Sequence, residues 1–509
     1  MKKEIRLDKE YLRIPMIRNG ETQEVRFFAD GTKILQVLIP VRTEEKGTVT
    51  GVFAELSVKE WKGKTLVLET EGDAPLPEGI LQSDEKTEKQ EDVYPALHFT
   101  PVSGWLNDPN GLCFYQGEYH LFFQHNPFDT EWNNMSWGHA VSRDLIHWTQ
   151  KEEALLPDAD GTMFSGSAIV NFRGESLCPK DAMVLFYTCA GGSSPWSKGK
   201  LFTQKAVYSV DGERFHKLPE VLVPHIAGEN RDPKVGWMEE KQQYYMVLFL
   251  DGHEYAILCS ENLKDWKETQ RLEIPESWEC PDLIRFPKAD GKEKWVFWTS
   301  DGYYLIGAFN GETFTAERPV NRLYADGVPY AAQTFWGSDR VLQIPWLRLR
   351  WEDKPYQGAM GIPRELELVE RNGEKVLAAH LPRELREQEE ICWKGIPGEK
   401  KELETGDGHV LLLSVRNGEN KNFTIQAGGC SLIWDAETGK LQVGEESFCL
   451  PSLSDLNFVL DRDILEVSCN QDTVCMYCRT PEIYEGQVVL SGEAAIQAGT
   501  VKETGKSGK

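Results

Sequence analysis

The chain has 509 residues, of which 40% are hydrophobic and 11% aromatic, with 16 Trp among them; this length predicts roughly three domains. Its 56 basic and 81 acidic residues give a formal net charge of −25, which argues against nucleic-acid and membrane partners. A small neutral ligand is the partner class that this composition favours.

The first residues, MKKEIRLDKEYLRIP, contain no apolar run after the lysines, and no stretch approaches transmembrane length. We therefore expect a cytoplasmic protein. Eleven cysteines, an odd number, fit reduced thiols in that compartment better than a disulfide framework. Cys475 and Cys478 resemble half a zinc site, but no second pair matches them, so we predict no metal site.

The N-terminal part alternates apolar and polar residues over short runs, which is typical of β-strands. We interpret residues 1–72 as an N-terminal β-rich accessory domain. Residues 73–94 are acidic and contain prolines, which indicates a linker.

A weak internal repeat follows from residue 95 onward. Segments 142–148, 209–215 and 260–266 each begin with serine and end with an aromatic residue, and 310–314 is a shortened copy. A period of about 50 to 70 residues with several short strands predicts a β-propeller of four or five blades. Propellers bring residues distant in sequence together at one end of a central channel.

The pattern changes after residue 375. Residues 376–398 are charged and are predicted to form a second linker. Short alternating runs return in 399–496, which we interpret as a C-terminal β-sandwich. The polar tail, 497–509, is predicted to be disordered. The fold class predicted for the whole chain is therefore all-β.

The segment WLNDPNG, 105–111, lies between two strand-like runs. Pro109 fixes its own backbone angle and biases Asp108 toward an extended conformation, which would hold the carboxylate in place. A surface turn is the alternative, because Asn, Asp, Pro and Gly are common turn residues.

Two further carboxylates stand close to prolines, Asp232 and Glu279. Cleaving a glycosidic bond takes one carboxylic acid that protonates the leaving oxygen and one carboxylate that attacks or activates water. Trp278 and Cys280 would raise the pKa of Glu279 and keep it protonated, whereas asparagines would keep Asp108 ionised. Asp232 follows an arginine and could hold sugar hydroxyls. Together the three acids favour a glycosidase, although each alone could be a solvated or capping residue.

Eight motifs in order resemble those of glycoside hydrolase family 32, the invertases, inulinases and levanases. The resemblance covers about residues 95–375. The motifs are WLNDPNG at 105–111, FQHNP at 123–127, WGHA at 137–140, FSGS at 164–167, RDP at 231–233, WECP at 278–281, YAAQTF at 330–335 and PREL at 363–366.

This resemblance implies a five-bladed β-propeller followed by a β-sandwich, with no metal and no cofactor. It also implies that Asp108 is the nucleophile that forms a fructosyl-enzyme, Glu279 the acid/base and Asp232 the transition-state stabiliser. The remaining residues that it assigns to a fructose pocket are Asn107, Gln124, Trp132, Phe164, Ser165, Arg231 and Trp346.

The leading hypothesis is a retaining β-fructofuranosidase that removes terminal non-reducing β-D-fructosyl units from short fructo-oligosaccharides, inulin-type favoured, or from sucrose. A fructosyltransferase using the same intermediate and a non-catalytic fructan-binding protein are the alternatives. The sequence departs from the family's usual motifs at His125, Pro345 and residues 328–329, which leaves the leaving-group preference open. The N-terminal domain could bind sugar, shape the far rim of the pocket or dimerise, and either terminal β-domain could support a homo-oligomer.

Overall fold

The computed structural model describes residues 1–89, 93–286, 293–405 and 410–501. Within these ranges the chain forms 42 β-strands and one short α-helix, α1 (Arg383–Glu387), so the predicted all-β class is confirmed. Three single turns of 3₁₀-helix, Lys59–Trp61, Pro195–Ser197 and Glu239–Lys241, connect strands. None of the helices in the described part of the chain has the length and apolar composition needed to cross a membrane.

The first seven strands form an N-terminal unit of two sheets. One sheet has the order β1-β6-β3-β4 and the other the order β5-β2-β7. Alternate residues of these strands point inward, as the period-2 pattern predicts, and pack into a core that contains Val25 and Phe27. The strands are β1 (Lys2–Arg6), β2 (Tyr11–Arg18), β3 (Glu21–Ala29), β4 (Thr32–Val41), β5 (Thr48–Ser57), β6 (Thr65–Glu69) and β7 (Leu81–Ser83).

Five sheets of mainly antiparallel strands follow one another along the chain. The first contains β8 (Gly104–Tyr115), β9 (Glu118–Asn126), β10 (Ser136–Ser142) and β11 (Thr149–Gln150). The second contains β12 (Thr162–Val170), β13 (Met183–Ala190), β14 (Thr203–Ser209) and β15 (His216–Lys217). The third contains β16 (Arg231–Met238), β17 (Gln243–Asp251), β18 (Glu254–Ser260) and β19 (Lys267–Glu273).

The fourth sheet contains β20 (Asp282–Phe286), β21 (Lys294–Trp298), β22 (Tyr303–Phe309), β23 (Phe314–Ala316) and β24 (Asn321–Arg322). The fifth contains β25 (Pro329–Thr334), β26 (Leu342–Leu347), β28 (Ala359–Met360), β29 (Arg364–Arg371) and β30 (Glu374–His380). Strand β27 (Tyr356–Gln357) pairs in parallel with β8 and so joins the first sheet.

The first strand of each sheet is its inner strand. β8 contacts β12, β12 contacts β16, β16 contacts β20, β20 contacts β25, and β25 contacts β8 again. The five inner strands therefore close a ring, and aromatic residues such as Tyr245, Trp295 and Phe309 fill the space between neighbouring sheets. Because every inner strand runs in the same sense from its start, the five starts gather at one end of the ring.

Two six-stranded sheets pack face to face around a second core, which contains Trp434. One sheet contains β31 (Glu389–Gly395), β33 (Val410–Arg416), β38 (Asp455–Asp461), β39 (Ile464–Cys469), β40 (Val474–Arg479) and β42 (Ala495–Val501). The other contains β32 (Gly398–Glu404), β34 (Phe423–Ala427), β35 (Cys430–Asp435), β36 (Lys440–Val443), β37 (Glu446–Cys449) and β41 (Gln487–Gly492).

Regular structure extends into segments predicted to lack it. β7 lies within 73–94, and the end of β30, α1 and β31 lie within 376–398. β42 reaches into the predicted tail, where its residues pair with β31 and β33; residues 502–509 lie outside the described ranges. The strands in these segments pair with strands far along the chain, so the charged composition of the segments themselves did not indicate regular structure.

A buried ionic cluster joins the ring of sheets to the last two sheets. His98 Nδ1 lies 2.9 Å from Asp461 Oδ2, and its Nε2 lies 3.1 Å from Glu466 Oε1. Arg364 also donates to Glu466. Burial disfavours a charged imidazole, but the hydrogen bonds to the two carboxylates outweigh burial and raise the pKa of His98 to about 9. We call these four residues the His98 cluster.

Candidate active site

A cavity of about 560 Å³ opens at the end of the ring where the inner strands begin. All ten residues predicted from the sequence to act on a sugar lie in its wall, although they come from five different parts of the chain. These residues are Asn107, Asp108, Gln124, Trp132, Phe164, Ser165, Arg231, Asp232, Glu279 and Trp346.

Breaks in strand pairing place three of the polar residues. Asp108 lies in β8 where its register with β9 shifts, Ser165 in β12 where its register with β13 shifts, and Asp232 in β16 where its register with β17 shifts. A bulge releases its residue from the regular alternation and re-aims the side chain. The same irregularity, repeated near the start of three inner strands, lets their polar side chains face one cavity.

The backbone around the carboxylates adopts the left-handed region that non-glycine residues avoid. The φ angles are 64° at Asp232, 37° at Glu279 and 47° at Cys280. Hydrogen bonds hold this conformation: the N–H of Cys280 donates to Asp232 Oδ2 at 3.1 Å, and the N–H of Asp232 donates to Thr188 Oγ1 at 3.0 Å. Backbone strain of this kind concentrates at functional sites.

The carboxylate of Asp108 accepts a hydrogen bond from Ser165 Oγ at 2.6 Å. Removal from water raises the pKa of Asp108 to about 6, and the negative charge of Glu279 acts in the same direction. The hydrogen bonds from Ser165 and Asn107 and the charge of Arg231 oppose this rise only in part. Asn107 lowers the pKa of Asp108, as predicted, but burial outweighs it and the net shift is upward.

Glu279 is held by a cation and a phenol. Arg231 donates to Glu279 Oε2 from Nε at 3.1 Å and from Nη2 at 2.7 Å, and Tyr330 OH donates to Glu279 Oε1. Arg231 is itself supported by the ring of Phe249, 4.6 Å below its guanidinium. Of the two predicted apolar neighbours, Cys280 is buried, whereas Trp278 is 51% exposed and donates from Nε1 to Tyr330 OH.

Asp232 is almost fully buried, at 3% exposure. Burial raises its pKa, the nearby Arg231 lowers it, and the charges of Glu279 and Asp108 raise it further. Asp108, Asp232 and Glu279 thus share the cavity wall with Arg231, and Glu229 is a fourth acidic residue in its lining. Asp108 and Asp232 therefore both have raised pKa values, because burial and the neighbouring negative charges disfavour their ionised forms.

The remaining predicted residues provide flat and polar surfaces. The ring of Trp132 meets that of Phe164 edge-on at 5.9 Å, and Trp346 meets Tyr330 at 6.1 Å. Gln124 is fixed by donating from Nε2 to the carbonyl of Met163 at 2.8 Å. Such a surface suits a sugar, which presents hydroxyl groups at its edge and an apolar face.

Asn107 accepts a hydrogen bond from Trp105 Nε1 at 2.8 Å and lines the cavity, where its side chain also hydrogen-bonds to Asp108. Neighbouring Trp105 also packs edge-on against Trp346 at 6.0 Å. The indole of Trp105 therefore supports two residues of the cavity from behind.

Several lining residues escaped the sequence analysis. Tyr330 was visible inside the YAAQTF motif but was given no role, although it bonds to Glu279. The others lie in or beside connecting loops that follow no motif, and their side chains meet only in space. They are Met135, Gly191, Gly192, Ser193, Phe202 and Glu229.

No group of three or more His, Cys, Asp or Glu residues in the described ranges is placed to hold a metal ion. All eleven cysteines are free thiols. Cys475 is buried in the core beneath the fourth and fifth sheets, and Cys478 packs against the core of the last two sheets. The Cys475 and Cys478 pair therefore serves packing.

The amino-acid sequence is similar to those of several known proteins. The chain is 34% identical over 400 residues to a levanase of Bacillus subtilis, 34% identical over 346 residues to an extracellular exo-inulinase of Aspergillus awamori, and 35% identical over 325 residues to a sucrose-6-phosphate hydrolase of Zymomonas mobilis. These matches cover 70%, 56% and 54% of this chain. The chain spans only 56%, 64% and 60% of the relatives' lengths.

Solved structures share the fold. The exo-inulinase of A. awamori superposes with a TM-score of 0.71 at 24% identity, covering 80% of this chain and 98% of its own. A glycoside hydrolase family 32 structure from Bifidobacterium adolescentis covers 98% of this chain and 99% of its own, with a TM-score of 0.69 at 20% identity. Residues 98–379 match the model of the glycosyl hydrolases family 32 N-terminal domain, and the chain therefore belongs to glycoside hydrolase family 32.

Proposed function

We propose that the protein is a retaining β-fructofuranosidase that releases terminal β-D-fructosyl units from sucrose or short fructo-oligosaccharides. The observation that carries the proposal is the meeting of Asp108, Asp232 and Glu279 in one cavity with Arg231 and Tyr330. The names of the relatives, a levanase, an exo-inulinase and a sucrose-6-phosphate hydrolase, support fructosides as the substrate class.

In the proposed mechanism the ionised carboxylate of Asp108 attacks the anomeric carbon of the fructosyl unit. Glu279 gives a proton to the leaving oxygen, and a covalent fructosyl-enzyme forms. Water then attacks this intermediate, with Glu279 taking back a proton as general base. Asp232 accepts hydrogen bonds from fructose hydroxyls. Ser165 orients Asp108 through its 2.6 Å hydrogen bond, so that attack needs little reorganisation.

The surroundings of the two carboxyl groups suit this division of roles. With a pKa near 6, Asp108 is mostly ionised above that pH and can attack. Tyr330 and Arg231 hold the carboxyl group of Glu279 in position for the leaving oxygen.

The decisive experiment is a product-resolved assay of the purified protein on sucrose, 1-kestose, inulobiose, levanbiose and inulin. We expect fructose to be released one unit at a time from short substrates, first as the β-anomer seen by NMR. Release of the opposite anomer would refute retention, and accumulation of longer oligosaccharides would identify a transferase instead. Binding without turnover on any of these substrates would identify a fructan-binding protein.

Two variants separate the proposed roles. Asp108→Asn should lose all turnover, because no fructosyl-enzyme can form. Glu279→Gln should fail on sucrose but still give a rapid first release of fluoride from fructosyl fluoride, whose leaving group needs no proton, followed by slow hydrolysis because the general base is missing. Absence of this first fluoride release in Glu279→Gln would contradict its role as the acid.

We also infer the architecture and setting of this enzyme. The closed ring of inner strands supports a five-bladed β-propeller, followed by a β-sandwich, and the predicted domain boundaries remain part of this proposal. The eleven free thiols support a reducing, cytoplasmic compartment. A neutral saccharide is the proposed partner, and a homo-oligomer through a terminal β-domain would be tested by light scattering.

A further inference from the structure

The N-terminal unit contacts the loop that carries Trp132 to the cavity. This loop, residues 127–135, connects β9 to β10. The Trp132 side chain is 52% exposed, and its aromatic neighbour is Phe164. Because the half-exposed Trp132 ring packs against little else, its position depends on the residues that anchor its loop.

The first anchor is Phe128, four residues before Trp132. Its side chain is 2% exposed and belongs to the hydrophobic core of the N-terminal unit, not to a core of the ring. Burying an aromatic side chain of this size stabilises the loop against the N-terminal unit more than any single surface contact would.

The second anchor is Asn134, two residues after Trp132. Its Oδ1 accepts from the N–H of Leu38 and its Nδ2 donates to the carbonyl of Leu38, both at 2.8 Å. Leu38 lies in β4, the edge strand of the first N-terminal sheet, so the Asn134 amide pairs with that edge as a neighbouring strand would. Nδ2 also lies 3.1 Å from Oδ1 of Asn126 in β9.

The N-terminal unit also covers a second part of the cavity wall. Lys33 Nζ lies 4.4 Å from the centre of the Trp196 ring, in the turn Pro195–Ser197. Ser197 Oγ accepts a hydrogen bond from the N–H of Gly192 at 3.1 Å, and Gly192 lines the cavity. The N-terminal unit thus supports two separate segments of the cavity wall, the loop with Trp132 and the segment with Gly192.

We propose that the N-terminal unit is a positioning domain for the active site and that Asn134 is its principal contact. By fixing the loop at both sides of Trp132, it sets the affinity for the part of the substrate that touches this ring. The inference rests on the proposed function for its substrate, but the positioning of the loop can be measured without turnover.

The test uses the full chain with Asn134→Gly. Asn134 has a φ of 48°, which glycine adopts freely, so this change removes the amide without adding backbone strain. The control is Tyr11→Phe, which removes a 2.8 Å hydrogen bond to Glu152 across the same boundary but away from the cavity. Asn134→Asp keeps the acceptor for the Leu38 N–H and should restore part of the effect.

We expect Asn134→Gly to raise KM for 1-kestose about tenfold while kcat changes by less than about twofold, since a positioning contact is lost and the reacting groups stay in place. In a Trp132→Ala background the same change should raise KM no further. Tyr11→Phe should leave KM unchanged. An unchanged KM in Asn134→Gly, or an equal rise in both backgrounds, would overturn the proposal.

Hydrogen exchange by mass spectrometry gives the readout that does not depend on turnover. Peptides covering 127–135 should exchange faster in Asn134→Gly, whereas peptides of β8 should not change. Unchanged exchange in 127–135 would overturn the positioning role, whatever the activity. Faster exchange in a protein that releases no fructose would support the positioning role and refute only the proposed function.

Discussion

The charge of Arg231 favours the ionised form of Asp108, and replacing Arg231 by methionine tests the size of that effect. Methionine has a similar length but no charge. The side chain donates twice to Glu279 and lies 3.9 Å from Asp232, and its charge also lowers the pKa of Asp108. Arg231→Met should therefore raise the pKa of Asp108, the carboxyl group that is proposed to attack in its ionised form.

The size of the effect follows from the geometry. Charges about 4 Å apart attract by about 4 kcal/mol at an effective dielectric constant near 20, and a neighbouring cation typically lowers a carboxyl pKa by about 1–3 units. The influence of Arg231 on Asp108 is smaller than that of burial or of Ser165. We therefore expect the low end, a rise of about one pH unit for Asp108.

The assay is the pH dependence of kcat/KM, which reports the protonation of the free enzyme. In the wild type, activity should fall as the pH drops through about 6, because Asp108 becomes protonated. In Arg231→Met this limb should move to about pH 7. Arg231→Lys is the control, since it keeps the charge and loses only the paired hydrogen-bond geometry.

Arg231→Lys should weaken substrate binding but leave the acidic limb near its wild-type position. The reasoning would be refuted if the methionine and lysine variants showed the same limb, or if the limb of Arg231→Met moved to lower pH. In either case the charge of Arg231 would not govern the ionisation of Asp108.

Three further predictions follow from described contacts. Tyr330→Phe removes the hydroxyl that donates to Glu279, so kcat on sucrose should fall about 10–100-fold with little change in KM; an unchanged kcat would contradict this. Because the pKa of Asp108 is raised from 3.8 to about 6, its ionisation opposes folding above that pH by up to about 3 kcal/mol. Asp108→Asn should therefore raise the Tm by several degrees at pH 7.5 and not below pH 4. Calorimetry that showed no difference at pH 7.5 would contradict the raised pKa of Asp108. His98→Gln removes the imidazolium that pairs with Asp461, while Glu466 keeps Arg364, and should cost about 3–5 kcal/mol at pH 7. The His98 contribution is complete below pH 6.5 and is lost as the pH rises through about 9, so the two proteins should converge in denaturant unfolding at pH 10.

Motifs located the site in the sequence because the chemistry fixes residue types at few positions. Asp108 and Asp232 lie in the first half of an inner strand and Glu279 precedes one, and the repeat placed them at one end of a ring. The domain boundaries were harder, since β31 pairs with β42 at the far end of the chain. Local composition cannot show a partner about 100 residues away.

The charged and polar neighbours of Glu279 could not be predicted from adjacent residues in the sequence, for a similar reason. Trp278 is next to Glu279 in sequence but bonds to Tyr330, while Arg231 is 48 residues away in sequence and bonds to Glu279 directly. A carboxyl pKa depends on neighbours in space. Tyr330, 51 residues after Glu279, is the second such neighbour and stood in a motif without an assigned role.

The His98 cluster has a consequence for synthesis on the ribosome. His98 is made early, but Asp461 follows 363 residues later and Glu466 later still. At about 5–20 residues per second, the imidazole waits roughly 20–70 s for its partners. A chain released before Asp461 would keep all the residues that line the cavity yet leave the surface beneath the ring uncovered, so prematurely terminated products should aggregate and be bound by chaperones and proteases.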